Sequence, residues 1–566
     1  MGQQLKRMSS VLVIGLLLLV LAACGVTKTQ ESPGKVLDEK SEEKVLHVIN
    51  GDIIPSMDPS MATDEFGFQF IGATMEGLYR LDENGEAVEG IAKEHQVSED
   101  ALIWTFELRK DAKWSNGSPG WARQTPDGFK FCFKFHQSWR RAVNPRTGSE
   151  YGPYMMNGVI KNAEAVSKGE APANSLGVRA KDDYTLVVEL EQPVPYFESL
   201  TTFGTFMPLN QKFVEAQGED FATSSDTLLF NGPFTLENWK STSQDWDLVK
   251  NKNYWDADTV QIERLHHVVV KDAQTQVDLY EADQVDRAGL SSDFVDKYAV
   301  HDDYTITPGT SVFYLKMNQT RNKALANINI RKAISMAFNK EDYVNEILNN
   351  GSLVANGLVP ADFVSIPSTG GDFRAASGDR VIYDVDKAQD YWEKGLQELG
   401  VDSIELEFLG DDSENAKIGN EYIANQLSTN LPGLTVKIKN VPFKQRLDLD
   451  SAMDYDLQVS GWGPDYLDPN TFLSLFVTDG DQNKMGYSNP EYDKLIEQAG
   501  TTFANDNEKR YKNFLKAEKI LFEDAAIAPI YQKSSAQLVS PKMEDVIVNK
   551  FGATYEYKWA RVISGE

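Results

Sequence analysis

A single hydrophobic core stops growing at roughly 250–300 residues, so a chain of 566 residues must divide its apolar side chains between at least two lobes. With 41% of residues hydrophobic and 11% aromatic, burial can offset the entropy of ordering, and disorder is not the default state. Disulfides cannot assist, because the chain has 2 cysteines and Cys24 closes an N-terminal apolar segment, leaving Cys132 without a mate. Packing has to hold the fold. Cys132, in "FKFCFKF", reads as a small buried hydrophobe rather than a reactive thiol.

Asp plus Glu number 85 against 56 for Lys plus Arg, a net charge of -29 that repels nucleic acid and anionic headgroups alike. Nucleic acid is excluded as a partner, and the acidity reads as a solubility device. At the N-terminus, Lys6 and Arg7 precede an apolar run from Val11 to Leu21, which is too short for the ~20 residues of a spanning helix and reads as an export signal. The run ends in "LAAC". That ending resembles the lipobox of bacterial lipoproteins, which implies removal of residues 1–23 and acylation of Cys24 by diacylglycerol, with palmitate as a typical chain. Two acyl chains suffice for stable anchoring where one does not. Residues 24–44 are the lipidated Cys and a charged, Pro-Gly-containing tether. The expected location is the extracytoplasmic face of the cell membrane.

Beyond the tether, "ALIWTFELR", "YTLVVELE" and "QIERLHHVVV" have the β-rich character of strands, whereas "NIRKAISMAFNKEDYVNEIL" has helical spacing. The class is mixed α and β, without a fixed-period repeat. The six His, at 47, 95, 136, 266, 267 and 301, show no HExxH and no chelating spacing; His266 and His267 share a strand and so face opposite ways. "GDDSENAKIGNE" lacks the Gly and Glu of a calcium loop and instead supplies Ser413 or Asn415 as a helix cap. No metal or cofactor is called for. There is no GxSxG elbow, phosphate loop or dinucleotide fingerprint, so a surface peptidase finds no nucleophile, base or metal set, and the chain reads as a non-enzyme.

The stretch "SGWGPDYLDPNTFLSLF", residues 460–476, carries a Gly-Trp-Gly-Pro run into Asp465. One reading is structural: Gly and Pro shape a turn, Trp462 packs, and Asp465 bonds to local backbone. The other is functional. Gly461 and Gly463, lacking Cβ, would admit a ligand's backbone, and an ionised carboxylate suits an ammonium group.

"WTFELRKDAKWSNGSP", "SWRRAVNPRTGSEYGPY", "NIRKAISMAFNKED", "GWGPDYLDP" and "APIY" occur in an order that resembles the peptide-binding proteins of bacterial ABC importers, solute-binding protein family 5, oligopeptide-binding members above all. The likeness runs from about residue 45 to the C-terminus. It implies an α/β, two-lobed periplasmic-binding-protein-like fold of the class with an additional small domain, the ligand enclosed between lobes. By that analogy lobe I comprises 45–309 plus 534–566, with the additional domain at about 87–213, and lobe II comprises 310–533. Just before "SWRRA", "FKFCFKF" alternates like a strand where the family has a helix, expected here from about Phe133.

The resemblance also implies the site. Its Gly-Trp-x-x-Asp-Tyr motif falls on Gly461, Trp462, Asp465 and Tyr466, giving Asp465 the peptide's α-ammonium and Gly461, Trp462 and Gly463 its backbone. Tyr151 matches a pocket Tyr, and residues 61–65, with Thr63 where relatives can carry an acid, match a lobe I strand facing the peptide. Asp450 and Val459 stand where relatives can carry Arg, so a grip on the peptide's carboxylate, and strict control of its length, is not expected. The function implied is a monomeric, lipid-anchored receptor that delivers oligopeptides to an ABC permease and its ATPases. A signalling peptide (pheromone), or a non-peptide ligand such as haem or a metal chelate, is the alternative on the same fold.

Overall fold

Two long strands set the architecture. Tyr304–Met317 and Ile527–Val539 lie antiparallel in the middle of a sheet of 11 strands, and each reaches into both flanks of it. On one side follow Leu457–Trp462, Ile404–Asp411 and Leu434–Val441; on the other, Arg287–Leu290, Val45–Asn50, Arg264–Val269, Asp245–Lys250 and Phe234–Glu237. The sheet is mixed: Val45–Asn50 runs parallel to Arg264–Val269, and Ile404–Asp411 parallel to Leu434–Val441, the remaining neighbours being mostly antiparallel. The structure, a computed structural model, describes residues 44–118, 131–291 and 293–563. Cys24, the signal segment and the tether before residue 44 lie outside the described residues, as does the side chain of Cys132.

The strands read from β-rich sequence are present at Ile103–Leu108, Thr185–Glu189 and Arg264–Val269. The first two belong to a separate antiparallel sheet with Ala92–Val97 and Val178–Ala180, against which the helix Phe131–Ala142 packs. That helix takes in most of "FKFCFKF" and begins two residues ahead of the expected Phe133, so the apolar alternation there does not make a strand. The long helical segment is broken at Asn339, whose side chain caps a new turn at Glu341 and Asp342.

Apolar burial is partitioned as the length requires. One cluster joins the small sheet to the flank that holds Leu46, Leu248 and Leu265; two others, around Phe472 and Tyr492 and around Leu406 and Trp392, lie at the opposite flank. The protein is two-lobed. Where the long strands cross from one flank to the other, their register shifts between Pro308 and Val312. Gly309 is required at that shift, because a Cβ there would lie 2.6 Å from the Lys533 carbonyl oxygen.

Candidate ligand site at the Asp465 loop

Leu457–Trp462 pairs with the first long strand, Trp462 opposite Val312 and Gly461 opposite Phe313. Gly463 and Pro464 then turn the chain inward, and Asp465 is left 4% exposed. Its main-chain N–H donates to Thr471 Oγ1 (2.9 Å), and its Oδ2 accepts from the Tyr154 hydroxyl at 3.1 Å. No cation pairs with it among the described residues. Burial therefore pushes the Asp465 carboxyl well above the usual carboxylate range, and the Tyr154 hydrogen bond offsets this only in part.

Tyr154 lies on the short helix Tyr151–Met156, more than 300 residues away in sequence, so the loop docks against the other lobe. The Trp462 ring stacks on Tyr151 at 6.2 Å and meets Tyr154 edge-on at 5.7 Å. Tyr466 stacks on Tyr196 at 4.4 Å. Asp468 is tied by both carboxylate oxygens to Arg510, at 2.5 and 2.8 Å. The ring contacts, the Tyr154 hydrogen bond and the Lys484–Glu150 pair hold the two sides of the cleft together, whereas the Asp468–Arg510 pair lies within one side.

Each residue singled out in the sequence can now be placed. Gly461, Trp462 and Gly463 adjoin Asp465, but the two glycines have partners within the protein: a Cβ on Gly461 would lie 2.6 Å from the Phe313 ring and one on Gly463 3.0 Å from Ser311 Oγ. Tyr151 is buried between Phe203 and Trp462, stacked on both. Residues 61–65 form no strand. Met61 to Asp64 are irregular and lead into the helix Glu65–Thr74, which Asp64 caps, because Asp64 accepts the Gly67 N–H at 3.0 Å. Thr63 is half-buried beside it.

Asp64 is the acid that sequence reading missed. It is 7% exposed, its Oδ2 has no hydrogen-bond partner, and burial pushes its carboxyl up to about 6. Asp465 and Asp64 both act on the Tyr151 hydroxyl, so two under-compensated carboxylates flank one aromatic wall. The capping position just ahead of an apolar run was the available signal.

Asp450 brings cations rather than lacking them. Lys316 Nζ pairs with it at 2.5 Å, and Lys316, Lys484 and Arg446 together outweigh the effect of burial and hold its carboxyl below the usual range. Val459 lies opposite Leu315 on the neighbouring strand. Among the described residues no group of three or more His, Cys, Asp or Glu could hold a metal ion. His266 and His267 do face opposite ways, His266 to Asp247 at 2.9 Å and His267 to Asn50 at 3.3 Å, and both are buried.

Residues 86–484 match the bacterial extracellular solute-binding proteins, family 5 middle region. The chain belongs to that family. It is 34% identical to a dipeptide-binding protein of Lactococcus lactis subsp. cremoris across 99% of this chain and 100% of that one. Among solved structures, it resembles Listeria monocytogenes OppA bound to peptide, with 44% identity and a TM-score of 0.87 over 93% of this chain and 100% of that one. It also resembles the substrate-binding domain of an oligopeptide ABC transporter from Bacillus anthracis, with 41% identity and a TM-score of 0.88 over 93% and 100% of the two chains. The family is one of solute-binding receptors, and its two-lobed α/β architecture is the one described above.

Proposed function

We propose that this protein is an extracytoplasmic receptor that captures oligopeptides between its lobes and delivers them to an ABC permease. The observation that carries the reading is Asp465, buried in the cleft, whose carboxylate has among the described residues the Tyr154 hydroxyl as partner and no cation. An unpaired buried charge is costly, and an ammonium brought by the ligand would compensate it. The α-ammonium is the one cation that peptides share whatever their side chains. Trp462, Tyr151 and Tyr154 would wall the pocket, while Gly461, Gly463 and the irregular segment at Thr63 would offer main-chain groups to a peptide backbone.

On this reading the lobes divide at 309/310 and 533/534, beside the register shift of the long strands, and closure turns about that shift. The additional domain at about 87–213 contributes Tyr151 and Tyr154. Cys24 carries the lipid anchor, and the receptor acts as a monomer without catalysis. Mass spectrometry of ligand released from the purified full-length protein, followed by calorimetry with the same peptide free and N-acetylated, tests the reading. Peptide should be recovered, and acetylation should weaken it by about two orders of magnitude, as loss of one partner of a buried pair does. Equal binding of the acetylated form would remove Asp465 from the ammonium role.

A further inference from the structure

A groove of about 430 Å³ lies away from the cleft, and every described residue that lines it falls between 137 and 215. Its walls are the helix Phe131–Ala142 with the turn after it, the segment at Ala173 and Asn174, and the helix Gln211–Gln217. Gln137, Arg140 and Arg141 reach it together because residues three and four apart share one side of a helix, while Phe135 and Trp139 are buried on the other side. Asn144 extends that polar wall past the helix end, and Leu209 and Val214 make the facing wall apolar. The volume is within the range of roughly 300–1,000 Å³ that small organic ligands occupy.

The two adjacent arginines differ in how they are neutralised. Arg141 donates through both terminal nitrogens to Asp58, at 2.7 and 2.6 Å. Arg140 donates to the Asn174 carbonyl oxygen at 2.8 Å, and no carboxylate lies against it among the described residues. Its Nε is buried without a hydrogen-bond partner. Burial with no acid to offset it pushes the Arg140 guanidinium below its ordinary value, and the same charge acts on His136, which burial and then Arg140 push down to about 4. The last turn of a helix favours a cation, which serves both arginines alike but gives the Arg140 Nε no acceptor. In a chain with a net charge of -29, a partly buried guanidinium without a carboxylate is an exception that needs a reason. Glu215, on the far helix, accepts from the Gln211 side-chain amide at 2.6 Å.

We propose that this groove is a second ligand site, separate from the cleft, which takes a small aliphatic monocarboxylate. Arg140 and the side-chain amides of Gln137 and Asn144 meet the carboxylate, and Leu209 and Val214 cover its apolar part. Charge selects the class: one uncompensated guanidinium matches one negative charge, and Glu215 across the groove opposes a dianion such as phosphate. The apolar wall selects the chain, since each methylene it covers strengthens binding by up to about fourfold. The carboxylate has two possible sources, a free short-chain acid and the C-terminal end of a peptide. The proposal does not rest on the peptide reading, because no residue of the Asp465 loop lines the groove.

The test is a ligand-observed NMR titration of the purified full-length protein with acetate, butanoate, hexanoate, hexanamide and inorganic phosphate. It is run on the wild type, Arg140→Met and Arg140→Lys, with and without excess trialanine amide to occupy the cleft. The wild type should bind hexanoate about tenfold more tightly than hexanamide, as a charge-assisted contact provides, and more tightly than acetate or phosphate. Arg140→Met should bring the acid-to-amide ratio to about one while leaving trialanine amide binding unchanged, and Arg140→Lys should keep part of the ratio. If Arg140→Met does not fold, the reduced ratio in Arg140→Lys carries the result. N-acetyl-dileucine, as free acid and as amide, then competes against hexanoate: displacement by the acid alone identifies a peptide end as a ligand, and no displacement identifies a free acid. A wild type without an acid preference overturns the proposal and leaves Arg140 as a helix cap. So does a preference that survives intact in both variants, hexanoate binding that trialanine amide abolishes, or phosphate binding as tight as that of hexanoate. The receptor reading stands or falls separately, on trialanine amide and its N-acetylated form.

Discussion

Asp465 and Asp468 are three residues apart and each is 4% exposed, yet Arg510 grips both oxygens of Asp468 while Asp465 accepts a single bond from Tyr154. One carboxylate is paired within the protein and the other is left for a partner from outside. Substitution should separate them. Asp468→Asn leaves Arg510 buried and uncompensated, a loss of about 3–5 kcal/mol. Asp465→Asn removes an uncompensated charge and should leave the ligand-free protein as stable or more so, while peptide binding falls by about two orders of magnitude. Thermal melts of the two variants, with and without peptide, give the comparison; a matched loss of stability would make Asp465 a structural residue.

The pH dependence follows from the two raised carboxylates. Asp64 rises to about 6 in the folded protein, above the unfolded value of about 4, so the folded state holds that proton more tightly. Ligand-free stability should therefore fall as pH rises through that window, and Asp64→Asn should abolish this part of the dependence. Peptide affinity should run the other way. An ammonium favours ionised Asp465, whose carboxyl burial holds well above the usual range, so binding should weaken as pH falls and be accompanied by proton release, which calorimetry in buffers of different ionisation enthalpy detects. Affinity that is flat from pH 5 to pH 7.5 would contradict the assignment.

Tyr151 lies between two rings, and its packing and its hydroxyl can be separated. Tyr151→Phe keeps the stack on Phe203 and Trp462 and should change stability little, whereas Tyr151→Ala should cost about 3–5 kcal/mol, as truncation of a buried aromatic does. A clear loss of peptide affinity in Tyr151→Phe at unchanged stability would assign the hydroxyl to the ligand.

Gly461 answers first to the protein. A methyl group there meets the Phe313 ring at 2.6 Å, so Gly461→Ala should lower stability by about 1–3 kcal/mol even without ligand. Denaturant unfolding of the ligand-free variant measures this. An undisturbed midpoint with weakened peptide binding would return the residue to the ligand.

If "LAAC" is read as a lipobox, Cys24→Ala should release the protein from the membrane or block its processing; the described residues contain no helix long and apolar enough to span. Membrane fractionation decides it; processed Cys24→Ala protein that still sediments with membranes would exclude the lipid anchor.

Much of this was legible from order along the chain, because local rules act over a few residues. The β-rich runs at Ile103–Leu108 and Thr185–Glu189 form strands, and Ser413 caps its helix as its position suggested. The motif "GWGPD" marked the loop on which the unpaired carboxylate lies. What the residues by themselves determined was the class of fold, the need for more than one core, and the segment to examine. Tertiary structure decided the rest, because charge compensation depends on side chains brought together from distant sequence. Nothing near Asp465 in the chain indicates that Tyr154 would be its partner, or that Asp450, read as a missing cation, would neutralise Lys316. Asp64 was hidden by its capping position.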